Sequence, residues 1–479
     1  MTTSAEGTGN AAVEPRPSAS GIGAAGLERR NRWAFGVGTL GRDMVYTLVA
    51  TFLITYLTEV LSLRDSTLLW VSALVLGARL FDAVMDIVMG SIVDNTRSRW
   101  GHYKPWILAG VLASSVFTIL MFSDLGLPEE VFIVAFALIY LLWGLSWTMN
   151  DIPYWALLPA LSVNQRARER TGAIAKIFAT VGLFLVVVLV IPVTTALSGT
   201  LGTRGAWQAF AIGVVVIMLA GQLVTLVGVK EPKIAVEQTH TTLREVAGVV
   251  VRNDQLLWTA VAMVLFMTGY LTTTTFGVHF FKYAYGDVEM FTPFGGVLVI
   301  SMLIGFLTFP LLRKRWSRQT IFTAAIGLIL AGYLAFFFAP MDIVAIGAAG
   351  LALFIGESYV VLLMLVFISD TIDYGHWKLG RRNVAVTFAL QPFINKVGAA
   401  LSFQIVAITL VAAGINEATA VGDVTADGLV LMRVMMLVMP AVLILASYLI
   451  YRWKYRIDED FHARIIADLK QQGQLTSDA

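Results

Sequence analysis

The stretch LLWVSALVLGARLFDAVMDIVMGSIV, residues 68–93, decides the fold of this chain. It is apolar for longer than the roughly 20 residues that a helix needs to cross the hydrocarbon of a bilayer. Yet it carries Arg79, Asp82 and Asp86. An ionisable group at that depth costs several kcal/mol, about 2.5–3.5 by insertion scales, so its presence is a functional signal by default. Asp82 and Asp86 are four residues apart, on one helix face, about 6 Å apart along the axis. Like charges so placed repel. A bound cation, a shared proton or an ion pair with Arg79 offsets the repulsion.

Working outward, eleven further apolar stretches share this character. Counting residues 68–93, the segments fall near 34–62, 68–93, 105–124, 129–160, 172–198 and 205–229, then 256–284, 293–312, 320–339, 342–369, 384–414 and 428–451. Composition agrees. Of 479 residues, 57% are hydrophobic and 14% charged, against about 25% charged in a soluble domain. With no cysteine, disulfides, thiolate metal sites and catalytic thiols are excluded. The reading is an all-α polytopic membrane protein of about 12 transmembrane helices in two six-helix bundles, in lipid bilayer. Gly90, Gly144 and Pro153 stand as flexible points within the longer segments.

The bundles are expected at 34–229 and 256–452. A disordered tail occupies 1–33, a polar middle loop 230–255 and a further tail 453–479. Alternate connections are rich in Lys and Arg: Arg97, Arg99 and Lys104; Arg166, Arg168 and Arg170; Lys230, Lys233, Arg244 and Arg252; Arg313, Lys314, Arg315 and Arg318; Lys378, Arg381 and Arg382. The opposite connections offer Arg64, Arg204, Lys282 and Arg433. By the positive-inside rule both termini are cytoplasmic, in the plasma or inner membrane.

Other ionisable groups fall inside segments: Asp43 with Arg42 beside it, Asp151, Lys176, Glu357 and Lys396. Asp43 and Asp151 lie on different helices and can converge on a polar solute in the bundle core, with Trp147, Tyr154 and Trp155 close to Asp151. These tryptophans also fit core or belt positions. Lys176 and Lys396 each need an anionic partner or a water-filled cavity. The five histidines are scattered without metal-ligand spacing. No Ser-His-Asp arrangement and no phosphate-cradling glycine loop is present, so neither hydrolysis nor ATP-driven transport is supported. No cofactor and no nucleic acid is called for, the chain is not read as an enzyme, and a functional monomer is expected.

The run Phe81-Asp82-Ala83-Val84-Met85-Asp86-Ile87-Val88-Met89-Gly90, continuing through Asp94-Asn95-Thr96-Arg97 to Gly101-His102-Tyr103-Lys104-Pro105-Trp106, resembles the signature of the glycoside–pentoside–hexuronide:cation symporter family of the major facilitator superfamily, in its melibiose permease branch. Gly41-Arg42-Asp43, Trp147 to Trp155, Arg252 to Leu256 and Asp370 to Gly375 support it in order along nearly the whole chain. The resemblance implies alternating-access symport of a sugar or glycoside with H+ or Na+. It implies that Asp82 and Asp86 form the cation site, as metal ligands if the ion is Na+, with Thr148 as hydroxyl ligand. It implies that Asp43 and Asp151 grip the sugar, that Trp155 stacks on it, and that Lys176, Gln391 and Lys396 contribute nearby, Lys396 also linking to the cation site. Arg42 and Trp147 are counted with the substrate residues. Met85 replaces an asparagine ligand of sodium-using relatives, and a thioether is a poor ligand for a hard cation, which shifts the expectation toward the proton. Lys176 stands where melibiose permeases carry arginine. Two other readings compete: symport of a non-sugar solute such as a lysolipid on the same fold, and an intramembrane Mg2+-dependent prenyltransferase, which would present aspartate pairs in both halves.

Overall fold

The computed structural model describes residues 19–96, 98–161, 165–230, 248, 251–380, 384–418 and 421–472. Most of the expected middle loop 230–255 therefore lies outside the described residues, as do Arg97, Arg381 and Arg382.

The first half consists of α1 (Ala19–Thr55), α2 (Asp65–Asn95), α3 (Lys104–Met121), α4 (Glu129–Ala160) and the helical stretch Gln165–Gly228. That stretch breaks at Gly202, whose φ of 70° and ψ of 164° are not helical. Packing shows that it folds back there. A Cβ on Gly182 would lie 2.2 Å from the Leu40 carbonyl oxygen, and one on Gly41 would lie 2.3 Å from Met218 Cα. Leu40 and Gly41 are neighbours, whereas Gly182 and Met218 would stand roughly 54 Å apart along a straight helix. The two arms are α5 (165–201) and α6 (203–228). Among the described residues eleven helices are long and apolar enough to span, and the fold-back at Gly202 divides one of them, which makes twelve crossings.

The second half holds α7 (Asp254–His279), α8 (Phe291–Arg313), α9 (Arg318–Phe338), α10 (Ile343–Leu379), α11 (Val384–Ala412) and α12 (Ala426–Lys454). Four of these starts have a local cause. Asn253, Ser317, Asp342 and Thr425 accept hydrogen bonds from the first free backbone N–H groups of α7, α9, α10 and α12. Close approach is set by small residues: Gly110 abuts the Asn150 backbone, Gly332 that of Leu353, and Gly398 that of Met267. Large apolar side chains such as Trp70, Leu307, Phe338 and Val344 are exposed, as lipid-facing side chains are.

The halves meet through α2 with α11, α5 with α8, and α1 with α7. Adding six to a helix number exchanges the first two contacts and maps α1 onto α7, the relation expected of parallel repeats about an axis along the membrane normal. The far ends of α1 and α7 both wind into π turns, Tyr56–Val60 and Phe280–Tyr285.

One expectation is revised. The tail 1–33 is helical from Ala19, because Arg30 donates to the Val227 carbonyl and Asn31 to that of Lys230, extending α1 past the bilayer to cap α6. The last tail contains α13 (Glu459–Gln471), docked through Trp377 Nε1 donating to Asp468 at 3.0 Å and Arg313 to Glu459 at 3.0 Å. The helices run on through Gly90, Gly144 and Pro153, and α10 extends ten residues beyond the expected 369 to Leu379.

Candidate functional site

Two polar clusters lie one helical turn apart along α4, the first at Thr148 and the second at Asp151. Residues three apart share a helix face, so one rigid element carries both.

The first cluster joins α2, α4 and α11. The Thr148 hydroxyl lies 2.7 Å from Oδ1 of Asp82 and 2.7 Å from Oδ1 of Asp86. Lys396 Nζ, from the second half, lies 2.7 Å from Oδ2 of Asp82 and 2.6 Å from Oδ2 of Asp86. The ammonium thus occupies the place between the carboxylates that the sequence left open to a cation or to Arg79. Arg79 is buried and donates its Nε–H to the Tyr140 hydroxyl at 2.7 Å. Two carboxylates face one ammonium at the contact, and the buried Arg79 guanidinium lies within electrostatic reach of Asp82. One hydroxyl hydrogen also cannot serve two full contacts, and a proton on either carboxyl would complete the second.

The second cluster joins α1, α4 and α5. Arg42, 2% exposed, donates Nη2–H to Oδ1 of Asp151. Its guanidinium lies over the Tyr154 ring at 4.1 Å and 5.8 Å from the rings of Trp147 and Trp155. Lys176 Nζ stands 5.1 Å above Trp155. Half-buried Asp43 lies within electrostatic reach of Arg42, Lys176 and Asp151. Two acids and two bases balance. Nε and Nη1 of Arg42 are buried with no hydrogen-bond partner, donors that a polar ligand would satisfy. Glycine positions α1 here: a Cβ on Gly38 would lie 2.0 Å from Thr225 Oγ1 and 2.6 Å from the Tyr154 hydroxyl.

Of the expected substrate residues, Arg42, Asp43, Asp151, Trp155 and Lys176 come together. Trp147 is a buried core ring, stacked on Trp143 at 5.5 Å, that floors the Arg42 site. Lys396 goes to the carboxylate pair. Gln391 is half-buried on α11 without a hydrogen bond to any described residue. Tyr140, the acceptor for Arg79, escaped the sequence reading, and Tyr154, noted there as an aromatic near Asp151, takes the place beneath Arg42. A tyrosine in an aromatic-rich span carries no signal of which charge it will face.

At the far face, opposite the basic connections, the halves are closed. Lys282 pairs with Glu59, Tyr283 donates its hydroxyl to Glu59 at 3.2 Å, and His279 Nε2 lies 2.9 Å from the Thr58 hydroxyl. Asn416 donates to the Leu63 carbonyl at 2.6 Å and to Asp65 at 2.9 Å. Between pairs of described residues, no hydrogen bond or ion pair joins the halves at the basic face.

This arrangement of charged clusters between two six-helix halves agrees with sequence comparison. A family model for MFS/sugar transport protein matches residues 34–459. The chain belongs to that family. Curated relatives of this sugar-transport family member include a lactose permease of Lactobacillus delbrueckii subsp. bulgaricus, 29% identical over 92% of this chain and 72% of the relative. A raffinose carrier protein of Pediococcus pentosaceus is 27% identical over 92% of this chain and 71% of the relative. A putative sulfoquinovose importer of Escherichia coli is 24% identical over 93% and 94%. In fold, the transporter is similar to the nucleoside transporter NupG, with TM-score 0.59 and 14% identity over 89% of this chain and all of NupG. It is also similar to a bacterial homologue of the lysosomal transporter Spinster solved in an inward-facing, unoccupied conformation, with TM-score 0.59 and 12% identity over 95% and 99%. The transporter is thus a multi-pass membrane protein whose relatives include permeases, carriers and importers.

Proposed function

We propose that the chain is a proton-coupled symporter of a sugar or glycoside in the plasma or inner membrane, with both termini cytoplasmic, working by alternating access as a monomer. The observation that carries this reading is Lys396 of the second half gripping Asp82 and Asp86 of the first half, one turn along α4 from the Arg42–Asp151 cluster. A proton arriving on one carboxyl removes one of the two charges that hold the ammonium. It thereby loosens a bond between the halves, while the shared α4 carries the change to Asp151. Sugar hydroxyls take up the free donors of Arg42 and the carboxylate of Asp43, and an apolar sugar face lies on Trp155. The closed far face, with the basic loops in the cytoplasm, corresponds to an inward-facing state.

Sodium fits less well. It would have to displace Lys396 from between the Oδ2 atoms, and Met85 supplies no hard donor. Relatives named for lactose and raffinose make galactosides the first substrates to test. The experiment is uptake of labelled lactose and raffinose into proteoliposomes under a proton gradient and, separately, a sodium gradient. Accumulation under the proton gradient alone is expected. Accumulation driven only by sodium would overturn the choice of cation, and no sugar uptake under either would overturn the substrate class.

A further inference from the structure

Among the buried ionisable side chains of the described residues, Glu357 takes no part in the proposed mechanism. Glu357, on α10 in the second half, is 2% exposed, and neither carboxyl oxygen has a hydrogen-bond partner among the described residues. Among the described residues no basic group and no second carboxylate stands close enough to act on its charge. The titratable groups that face it are phenols, Tyr270 of α7 and Tyr333 of α9. From α8 and from the other packed elements no titratable described residue faces it.

Its place is fixed by its neighbours. A Cβ on Gly356 would lie 2.8 Å from the Ala325 carbonyl oxygen of α9, and one on Gly305 of α8 would lie 1.6 Å from Ser358 Oγ. The residues on either side of Glu357 are therefore clamped against α9 and α8. An ionised carboxylate with no counter-charge in such surroundings costs far more than the neutral acid. A glutamate there is also costlier than glutamine or leucine, unless the proton it carries is used. Tyr270, half-buried, lies on α7, the helix that meets α1 on the axis between the halves. Motion of one half against the other changes what covers that side.

We propose that Glu357 is a second proton-binding site of the carrier, loaded and sealed when the far face is closed and opened to water past Tyr270 when the halves rock. The step is a simple ionisation: the carboxyl O–H bond breaks, its electron pair stays on the oxygen, and the proton passes to water. This inference rests on the proton-symport reading, and its test separates the two. Lactose binding is followed by calorimetry in two buffers of different ionisation heat, which counts protons exchanged per sugar. Glu357→Gln is expected to lower the count by about one while lactose affinity stays within about threefold. Infrared difference spectra of the unmodified protein are expected to show a non-hydrogen-bonded carboxylic acid band that responds to lactose and is missing from Glu357→Gln. An unchanged proton count, or a band absent from the unmodified protein or indifferent to lactose, would overturn the proposal. Failure of the symport reading shows differently: the unmodified protein would then not accumulate lactose under a proton gradient, whatever Glu357 does.

Discussion

At the residue scale, charges were the legible part of the site. An aspartate in an apolar span announces itself, since no packing reason puts it there, and Asp43, Asp82, Asp86 and Asp151 all take part in the two clusters. Tyr154 and the orphan donors of Arg42 could not be read, because their meaning depends on which ring and which acceptor the neighbouring helix presents. Asp151 is the decisive side chain, as it holds Arg42 and remains 27% exposed for a ligand. Asp151→Asn keeps the shape and an oxygen acceptor but removes the charge. A hydrogen bond to a charged group contributes about 1.5–3 kcal/mol, so lactose affinity is expected to fall by roughly 10- to 100-fold. Calorimetric titration checks this, and an unchanged dissociation constant would remove Asp151 from the site.

At the element scale, the α5–α6 hairpin and the docked α13 make distinct predictions. Gly202 has φ of 70° and ψ of 164°, a region essentially confined to glycine, and a Cβ there would meet nothing. Gly202→Ala is therefore expected to destabilise by backbone strain alone, about 1–3 kcal/mol. Gly199 is helical and equally unobstructed, so Gly199→Ala is expected to leave stability unchanged or raise it by about 0.5–1 kcal/mol. Apparent melting temperatures in one detergent distinguish the pair. In α13, His462 Nε2 lies 3.2 Å from Asp373 Oδ2 and 3.7 Å from Asp370 Oδ1. The hydrogen bond to Asp373 holds the imidazole above its ordinary value of 6.5, with burial acting the other way. A group raised in the folded state contributes its stabilisation fully below its unfolded value and loses it as pH rises through the folded one. The protection factors of amides across 459–471, taken against the intrinsic exchange rate at each pH, are thus expected to be highest below about pH 6.5 and to fall above it. His462→Gln should flatten that dependence.

At the scale of the whole molecule, the closed far face is what a transport cycle must open. Glu59 and Lys282 sit on π turns at equivalent ends of α1 and α7, one in each half, beside a cleft of about 400 Å3 lined also by Arg64, Asn416 and Glu417. Glu59→Gln removes the counter-charge of Lys282 and is expected to shift the population toward a far face that is open. The exchange Glu59→Lys with Lys282→Glu should restore closure, because the pair is kept with its polarity reversed. The chain has no cysteine, so spin labels on Ser62→Cys and Glu417→Cys report the gap directly by electron–electron distance measurement. A longer distance in Glu59→Gln and the original one in the exchange are expected. Equal distances in all three proteins would deny the pair a part in closure.

Hydropathy, charge placement and loop composition by themselves determined that the chain spans a membrane about twelve times in two halves, and which carboxylates lie where charge is costly. These are local properties: bilayer thickness fixes the length of each span, and desolvation penalises each charge wherever the chain later packs. Tertiary structure decided the rest. It set Lys396 rather than Arg79 between Asp82 and Asp86, folded Gln165–Gly228 back at Gly202, sealed the far face through Glu59 and Lys282, and left Glu357 without a partner. Each of these depends on contacts between helices distant in sequence, where an ångström of approach set by a glycine decides which side chain meets which charge.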